Sequence, residues 1–369
     1  MAKELDELLK QPSEWLRGVG PMSDIVMSSR IRLARNVERQ LFATRATKAS
    51  QHDVLKMVKE GLQHATSLKR PLWLDIGQLD EVDRQFLVER HLVSREQIVH
   101  AEHKAVAIGQ GEAISIMVNE EDHLRIQALQ SGLNLQDTWA MIDALDDELS
   151  EAIPYAYSSD WGYLTCCPTN TGTGMRASVM VHLPALVITK QINKVLHTIT
   201  KLGLTARGLY GEGTEASGNF FQISNQVALG RSEEEIIENL ERILKEVIHQ
   251  EQAARDALVT NNQVQLEDRI WRAFGILKHA QTMSSTEALD LLSAVRLGVD
   301  LGVMSVNGQP PPPSASQGWS NGLTRTIVNE MFMFSQPAHL QKLEGKALSA
   351  KERDTKRAQM IRQRLGGQT

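Results

Sequence analysis

Strand patterns and helix patterns occupy different parts of this chain, and that separation constrains its fold more than any other feature. Before residue 225, short segments alternate apolar and polar residues, as from Ile25 to Leu33. Beyond about residue 255 the patterns are helical. Strands followed by helices are typical of an α+β domain joined to a helical domain. The sequence therefore predicts an α+β fold, with an antiparallel β-sheet flanked by helices over residues 24–254 and an all-helical C-terminal domain over residues 255–369.

Local patterns position the predicted elements. Alternation predicts strands at 25–33, 104–108, 113–118, 175–183, 203–209 and 219–224. Helical spacing predicts helices at 4–10, 54–62, 82–92, 124–129 and 138–149. Ser232 and Glu235 form a capping box before a further helix, and the proline run at 309–316 predicts an exposed loop or linker.

Composition narrows the function classes. With 369 residues, 41% of them hydrophobic, the chain can bury two cores, and its net charge of −5 argues against a direct nucleic-acid partner. No segment has the ~18 apolar residues of a membrane span, and the N-terminus lacks the apolar core of a signal peptide. The two cysteines, Cys166 and Cys167, are adjacent, a geometry that disfavours a disulfide. Free thiols predict a cytoplasmic location.

The segment from Tyr163 to Ser178 concentrates groups with catalytic potential. It places a thiol, small hydroxyls, turn glycines and Arg176 within sixteen residues. A thiolate beside a phosphate-binding arginine points to phosphoryl transfer rather than proteolysis. Cys167 could instead be a small buried hydrophobe, but its proline and hydroxyl neighbours favour a stabilised thiolate. Cys166 is expected to be structural.

Five arginines are placed at strand ends of one predicted sheet. Arg30 and Arg32 lie two residues apart on one strand and project from the same face. Guanidinium groups so placed repel each other unless an anion lies between them. A solvated edge strand and surface ion pairs are the alternatives for each arginine taken singly. As a set they predict a polyphosphate clamp, completed by Mg²⁺ bridging the phosphates. The five arginines are Arg30, Arg32, Arg125, Arg176 and Arg207. The sequence contains neither a Walker motif nor the glycine loop of protein kinases.

Glu121 and Glu212 are the acidic counterparts, each in a loop at a strand end. Two carboxylates flanking a planar fork of N–H donors suit a guanidinium substrate, whose nucleophilic nitrogen also needs a base. Ordinary solvent-facing loop acids are the alternative for either residue. His91 could stack on an adenine or be a helix-surface histidine without a role.

Four motifs, at 28–36, 118–125, 167–178 and 207–212, together resemble the ordered signature of the phosphagen (guanidino) kinase family. The resemblance implies that this family's fold, ATP and Mg²⁺ are shared, with the metal held mainly by the nucleotide. It implies Glu121, Cys167 and Glu212 as catalytic residues. The ATP-binding residues implied are Ser28, Ser29, Arg30, Ile31, Arg32, His91, Arg125, Arg176, Ala177, Ser178, Val179, Met180, Arg207, Gly208, Leu209, Tyr210, Gly211 and Glu212.

Two departures from the small-molecule members indicate the subtype. Only twenty-seven residues precede Ser28, so the guanidine site is expected to be open on one side. Creatine and arginine kinases resemble each other in having an arginine at the position of Tyr210 and a histidine at the position of Gly213. This sequence lacks both. The pattern is similar to the bacterial protein arginine kinases of the McsB type, and an open site suits an arginine side chain on a polypeptide.

The segment from Arg353 to Ala358 matches the Arg-Asp-x-x-Arg-Ala motif of that group. The resemblance implies an allosteric phosphoarginine site at Arg353, Asp354, Arg357 and Ala358; an ordinary charged helix is the alternative. It also implies protein substrates with exposed arginines, the Clp protease system, a heat-shock repressor, an activator protein and a homodimer. Two other functions stay open: a phosphoarginine-binding adaptor without activity, and a free-arginine phosphagen kinase.

Overall fold

A computed structural model describes residues 2–9, 12–208, 217–304 and 323–366. The described strands are β1 Val26–Arg35, β2 Leu72–Asp75, β3 Ala105–Ile108, β4 Ile114–Val118, β5 Leu124–Ser131, β6 Tyr157–Ser158, β7 Gly162–Tyr163, β8 Met175–His182, β9 Leu204–Gly208 and β10 Phe220–Asn225. Eight of them form one antiparallel sheet in the order β2-β3-β4-β5-β1-β8-β10-β9, while β6 and β7 pair separately. The predicted antiparallel sheet is confirmed.

One element predicted from the sequence is wrong. Residues 124–129, predicted to be helical, belong to β5, which pairs with both β1 and β4. Leu124, Ile126 and Ala128 are fully buried, and the polar residues alternate with them. This period of two is the signature of a strand, and a segment this short does not distinguish it clearly from a helical period. The consequence is that Arg125 lies on the sheet itself, beside β1.

The described helices are α1 Ala2–Leu8, α2 Lys48–His64, α3 Glu81–Glu89, α4 Arg95–Ile98, α5 Leu135–Ala152, α6 Pro184–Ile188, α7 Ile192–Lys201, α8 Glu233–Asn261, α9 Gln263–His279, α10 Ser285–Asp300, α11 Arg325–Phe334, α12 Pro337–Glu344 and α13 Ala350–Arg364. The capping box of Ser232 and Glu235 is confirmed at the start of α8. That helix continues across residues 254 and 255, where the domain boundary was predicted. The predicted linker at 309–316 lies outside the described residues.

The two faces of the sheet differ in chemistry. One face carries Ile31, Ala177 and Val179, all fully buried, and packs against α5 and α8. Its hydrophobic core is continuous with that of the C-terminal helices, reaching Val328 and Phe332. The opposite face carries Arg30 and Arg32 of β1 with their cross-strand partners on β8. None of the helices in the described ranges is long and apolar enough to cross a membrane.

Candidate active site

The central strand β1 places two arginines on the polar face. Arg32 lies opposite Arg176 of β8 on one side and opposite Gln127 of β5 on the other. Arg30 lies opposite Ser178, and its Nε donates to the Ser178 hydroxyl at 3.4 Å. Since cross-strand partners project from the same face, pairing alone gathers these side chains from three strands.

These arginines line a cleft of about 730 Å³ between the sheet and the helices beside it. Arg30, Arg32, Arg125 and Arg207 face the cleft together with His91, which follows the end of α3. Residues of α3 and of the C-terminal helices also line it. Four of the five predicted clamp arginines therefore share one cavity.

Burial and mutual repulsion weaken the protonation of the clamp. The pKa of Arg30 is lowered to about 10, first by burial and then by the charges of Arg125 and Arg176. The pKa of Arg32 is lowered well below its usual range for the same reasons, with Arg30 added. Glu120 is the carboxylate that acts in the opposite direction on Arg32. A bound polyanion would relieve this repulsion.

Glu120 is the ion-pair partner of Arg125, and the Ser94 hydroxyl donates to the same carboxylate. Burial alone would raise the pKa of Glu120, but the charge and hydrogen bonds of Arg125, with the Ser94 bond, hold it below its usual value. Glu120 therefore stays ionised and fixes Arg125 at the cleft.

His91 is half-buried in the cleft wall. Its ring packs edge-on against Trp15 with the centroids 4.9 Å apart. Burial, and then the charge of Arg30, lower its pKa to about 3, so the ring is neutral at physiological pH. Its Nε2 has no hydrogen-bond partner among the described residues. This neutral ring is compatible with a nucleotide base and adds no charge to the clamp.

A second, smaller cavity of about 160 Å³ adjoins the cleft through Arg32 and Arg125, which line both. Its wall combines Arg176 with Cys167 and an acidic loop of Glu120, Glu121 and Asp122. The Cys167 Sγ lies 3.0 Å from the Thr169 hydroxyl. Partial burial, followed by the charges of Asp122 and Glu120, raises the pKa of the Glu121 carboxyl. The small cavity therefore brings a thiol and the acidic loop close to three arginines, two of which it shares with the large cleft.

Asp122 of the acidic loop also holds the segment 164–174 between β7 and β8, which we call the thiol loop. Its Oδ1 accepts from the Cys166 backbone N–H and from the Asn36 side-chain amide, both at 2.7 Å. Gly174 closes the same loop onto β1: its φ is 67°, and a Cβ there would lie 2.7 Å from the Ala34 carbonyl oxygen. The loop therefore requires glycine at this position.

Arg35 anchors the base of the thiol loop. Its guanidinium pairs with Asp146 at 2.7 Å, donates to the Thr173 carbonyl at 2.9 Å and lies 3.5 Å from the Tyr163 ring centroid. Because both charges are buried and paired, they form a fixed support rather than a binding surface. Cys166 points elsewhere, with its Sγ 3.7 Å from the Thr44 hydroxyl.

Several predicted ATP-binding residues contribute no side chain to the cleft. Ile31, Ala177 and Val179 project into the apolar core. The Ser29 hydroxyl is bonded to the Gly132 carbonyl and the Asn134 N–H. Ser28 and Met180 are buried and paired across β1 and β8, and Gly208 ends β9. Leu209, Tyr210, Gly211 and Glu212 lie outside the described residues, so the predicted second guanidinium carboxylate is not placed.

The predicted phosphoarginine motif lies on α13. Arg357 is almost completely buried and donates to the Ser335 and Met283 carbonyls, each at 2.7 Å, and to Asp354 at 2.6 Å. Arg353 donates to the Leu348 carbonyl at 2.9 Å, and Ala358 is fully buried. The structure thus shows internal contacts for this motif, and its ligand role stays a prediction.

Sequence reasoning missed Gln127 and the role of Glu120 as the partner of Arg125. It named Ser178 among the ATP-binding residues, but not as a partner of Arg30. Gln127 lines the cleft and donates to the His91 carbonyl at 2.6 Å. Reading 124–129 as a strand would have placed it beside Arg32. Within the described ranges, no group of three or more His, Cys, Asp or Glu side chains could hold a metal ion.

Comparison with known proteins agrees with this geometry. The family described as "ATP:guanido phosphotransferase, C-terminal catalytic domain" matches residues 53–254. The chain therefore belongs to the ATP:guanido phosphotransferase family, and within it to the group of the protein-arginine kinases. The family described as "Protein-arginine kinase McsB C-terminal domain" matches residues 263–309 and 316–369. A protein-arginine kinase of Halothermothrix orenii is 47% identical over 360 residues, covering 98% of each chain. One of Symbiobacterium thermophilum is 48% identical over 356 residues, covering 96% of each.

Solved structures show the same fold. A duplicated taurocyamine kinase from Schistosoma mansoni, with bound transition-state-analogue components, has a TM-score of 0.57 and 28% identity. The match covers 66% of this chain and 35% of that one. Lombricine kinase, at 24% identity and a TM-score of 0.54, supports the fold alone, with coverage of 68% and 75%.

Proposed function

We propose that this protein transfers the γ-phosphoryl group of ATP to the guanidinium of arginine side chains in proteins. The observation that carries the proposal is a pair of adjoining cavities that share Arg32 and Arg125. Arg30 and Arg207 complete the arginines of the larger cavity, whereas the smaller one adds Glu121, Cys167 and Arg176. The high identity to protein-arginine kinases over the whole chain supports the same substrate.

In the proposed reaction, the cleft arginines hold the triphosphate, and Arg32 and Arg125 stand where the two cavities meet. The N–P bond forms while the bond from the γ-phosphorus to the bridging oxygen breaks, and ADP leaves with that electron pair. The attacking nitrogen loses its proton, for which Glu121 is a suitable acceptor because its raised pKa makes it a better base.

The thiol and the metal ion would balance the charges of the two substrates. Cys167, as a thiolate, would attract the guanidinium, and Arg176 would balance the thiolate. Mg²⁺, when bound with ATP, supplies neutralisation of the phosphate charge. The cleft fits such a complex: Glu120 is already paired with Arg125, which leaves the nucleotide oxygens as the main ligands of the metal.

We also propose the broader roles implied by family resemblance. These are a cytoplasmic location, a homodimer, an activator protein, control of a heat-shock repressor and marking of proteins for the Clp protease system. The support is the match of both regions of the chain to the protein-arginine kinase group.

The test is to incubate the purified protein with labelled ATP and an arginine-rich unfolded protein. We expect acid-labile label on arginine, mapped by mass spectrometry. The Glu212→Ala variant should lose this activity while still binding ATP, and Glu215→Ala from the same segment is the control. Label on free arginine at a comparable rate would favour a phosphagen kinase. No label, with phosphoarginine binding retained, would favour an adaptor and refute the proposal.

A further inference from the structure

The C-terminal helices supply one side of the large cleft. Ser285, the first residue of α10, lines it together with Gln336 and Pro337 at the start of α12. These residues share the cavity with Arg30 and Arg32 of the sheet. We call Ser285, Gln336 and Pro337 the helical wall.

Arg357 ties the two parts of the helical wall together. Its Nε donates to the carbonyl of Ser335, directly before Gln336, and its Nη1 to the carbonyl of Met283, two residues before Ser285. Both distances are 2.7 Å, and Arg357 is only 1% exposed. One buried guanidinium therefore fixes the backbone just before each part of the wall.

Two further contacts hold the helical wall in position. The Met283 N–H donates to the Asp354 carbonyl at 3.1 Å, which ties this segment to α13 a second time. The Glu89 carboxylate, at the end of α3, accepts from the backbone N–H groups of Ala338 and His339 at 2.9 and 3.0 Å. Glu89 is two residues from His91, so the wall is connected to the side of the cleft that carries the histidine.

We propose that the helical wall contacts the bound nucleotide and that Arg357 is its positioning residue. The inference rests on the proposed function, because it takes the nucleotide of the large cleft to be ATP. It assigns Arg357 a role toward ATP, separate from any ligand of the motif itself. Because a small displacement of a binding surface weakens its contacts strongly, releasing two wall segments at once should lower ATP affinity.

The test compares Arg357→Met with Arg362→Met. Arg362 lies on the same helix, is also buried and donates to one carbonyl, that of Ala280, away from the cleft. ATP affinity is measured by calorimetry and stability by thermal unfolding. For Arg357→Met we expect the Kd of ATP to rise at least about tenfold, with kcat at saturating ATP nearly unchanged. Arg362→Met should lower stability but keep the Kd within about twofold. Arg357→Lys should recover part of the affinity, since an ammonium can still donate to one carbonyl.

An ATP Kd for Arg357→Met within about twofold of the wild type would overturn the proposal. If that variant does not fold, Ser285→Trp and Thr286→Trp decide the matter. Ser285 lines the cleft, whereas its neighbour Thr286 is exposed outside it. Only Ser285→Trp should weaken ATP binding. Equal ATP affinity of the two variants would refute the proposed contact between the helical wall and the nucleotide. A wild-type protein that binds ATP but modifies no arginine would refute the proposed function instead.

Discussion

Truncation of the Asp122 side chain tests how much its hydrogen bonds to the thiol loop contribute to stability. The Asp122 carboxylate is 3% exposed and accepts two hydrogen bonds at 2.7 Å, one from the Cys166 N–H. In Asp122→Ala, the Cys166 N–H loses this acceptor. The Asn36 amide keeps its bond to the Leu164 carbonyl at 3.0 Å. One orphaned donor and one weakened contact predict a loss of about 2–3 kcal/mol in the free energy of unfolding.

Asp122→Asn should behave differently. Burial raises the pKa of the Asp122 carboxyl above its usual value, more than the bonds from Cys166 and Asn36 lower it. Such a carboxyl favours folding below its unfolded pKa, and this contribution is lost as the pH rises through the folded pKa. The asparagine keeps an acceptor oxygen without the buried charge. We expect its stability at pH 7 to lie within about 0.5 kcal/mol of the wild type.

The measurement is equilibrium unfolding in urea at pH 7, with Asp160→Ala as the control. Asp160 is exposed in the turn between β6 and β7, so its truncation should change the unfolding free energy by less than about 0.5 kcal/mol. If Asp122→Asn is as destabilising as Asp122→Ala, charge rather than hydrogen bonding accounts for the contribution. If Asp122→Ala unfolds like the wild type, the argument for this support is wrong.

Two further predictions concern the small cavity. Because the pKa of Glu121 is raised, its carboxylate should become protonated at a higher pH than that of an ordinary glutamate. We therefore expect kcat/KM for protein substrate to decline as the pH falls, starting at a higher pH than an ordinary glutamate would give. Glu121→Gln should lack this acid limb. An unchanged limb in that variant would assign it to another group. Cys167→Ser should lower kcat by about tenfold or more, while Cys166→Ser should stay within about threefold, since only Cys167 lines the cavity. Equal losses would show that the thiol loop, not the Cys167 thiol, matters.

The sequence by itself determined the class of the fold and brought two of the cleft arginines to one face of a strand. Alternation marked β1 and placed Arg30 and Arg32 on one face, because successive strand residues point to opposite sides whatever surrounds them. The separation of strands from helices indicated the α+β architecture. Local patterns carry this information because they depend on residues close in the chain.

Only the tertiary structure decided which residues meet. The segment 124–129 is too short for its hydrophobic period to distinguish a strand from a helix. Its pairing with β1 and β4 decides that it is a strand. That pairing put Arg125 and Gln127 beside Arg32 and left Glu120 as the partner of Arg125. The burial of Arg357 against Ser335 and Met283 depends on contacts 22 and 74 residues apart in the chain. No local pattern encodes such contacts, because they exist only once separate segments have packed together.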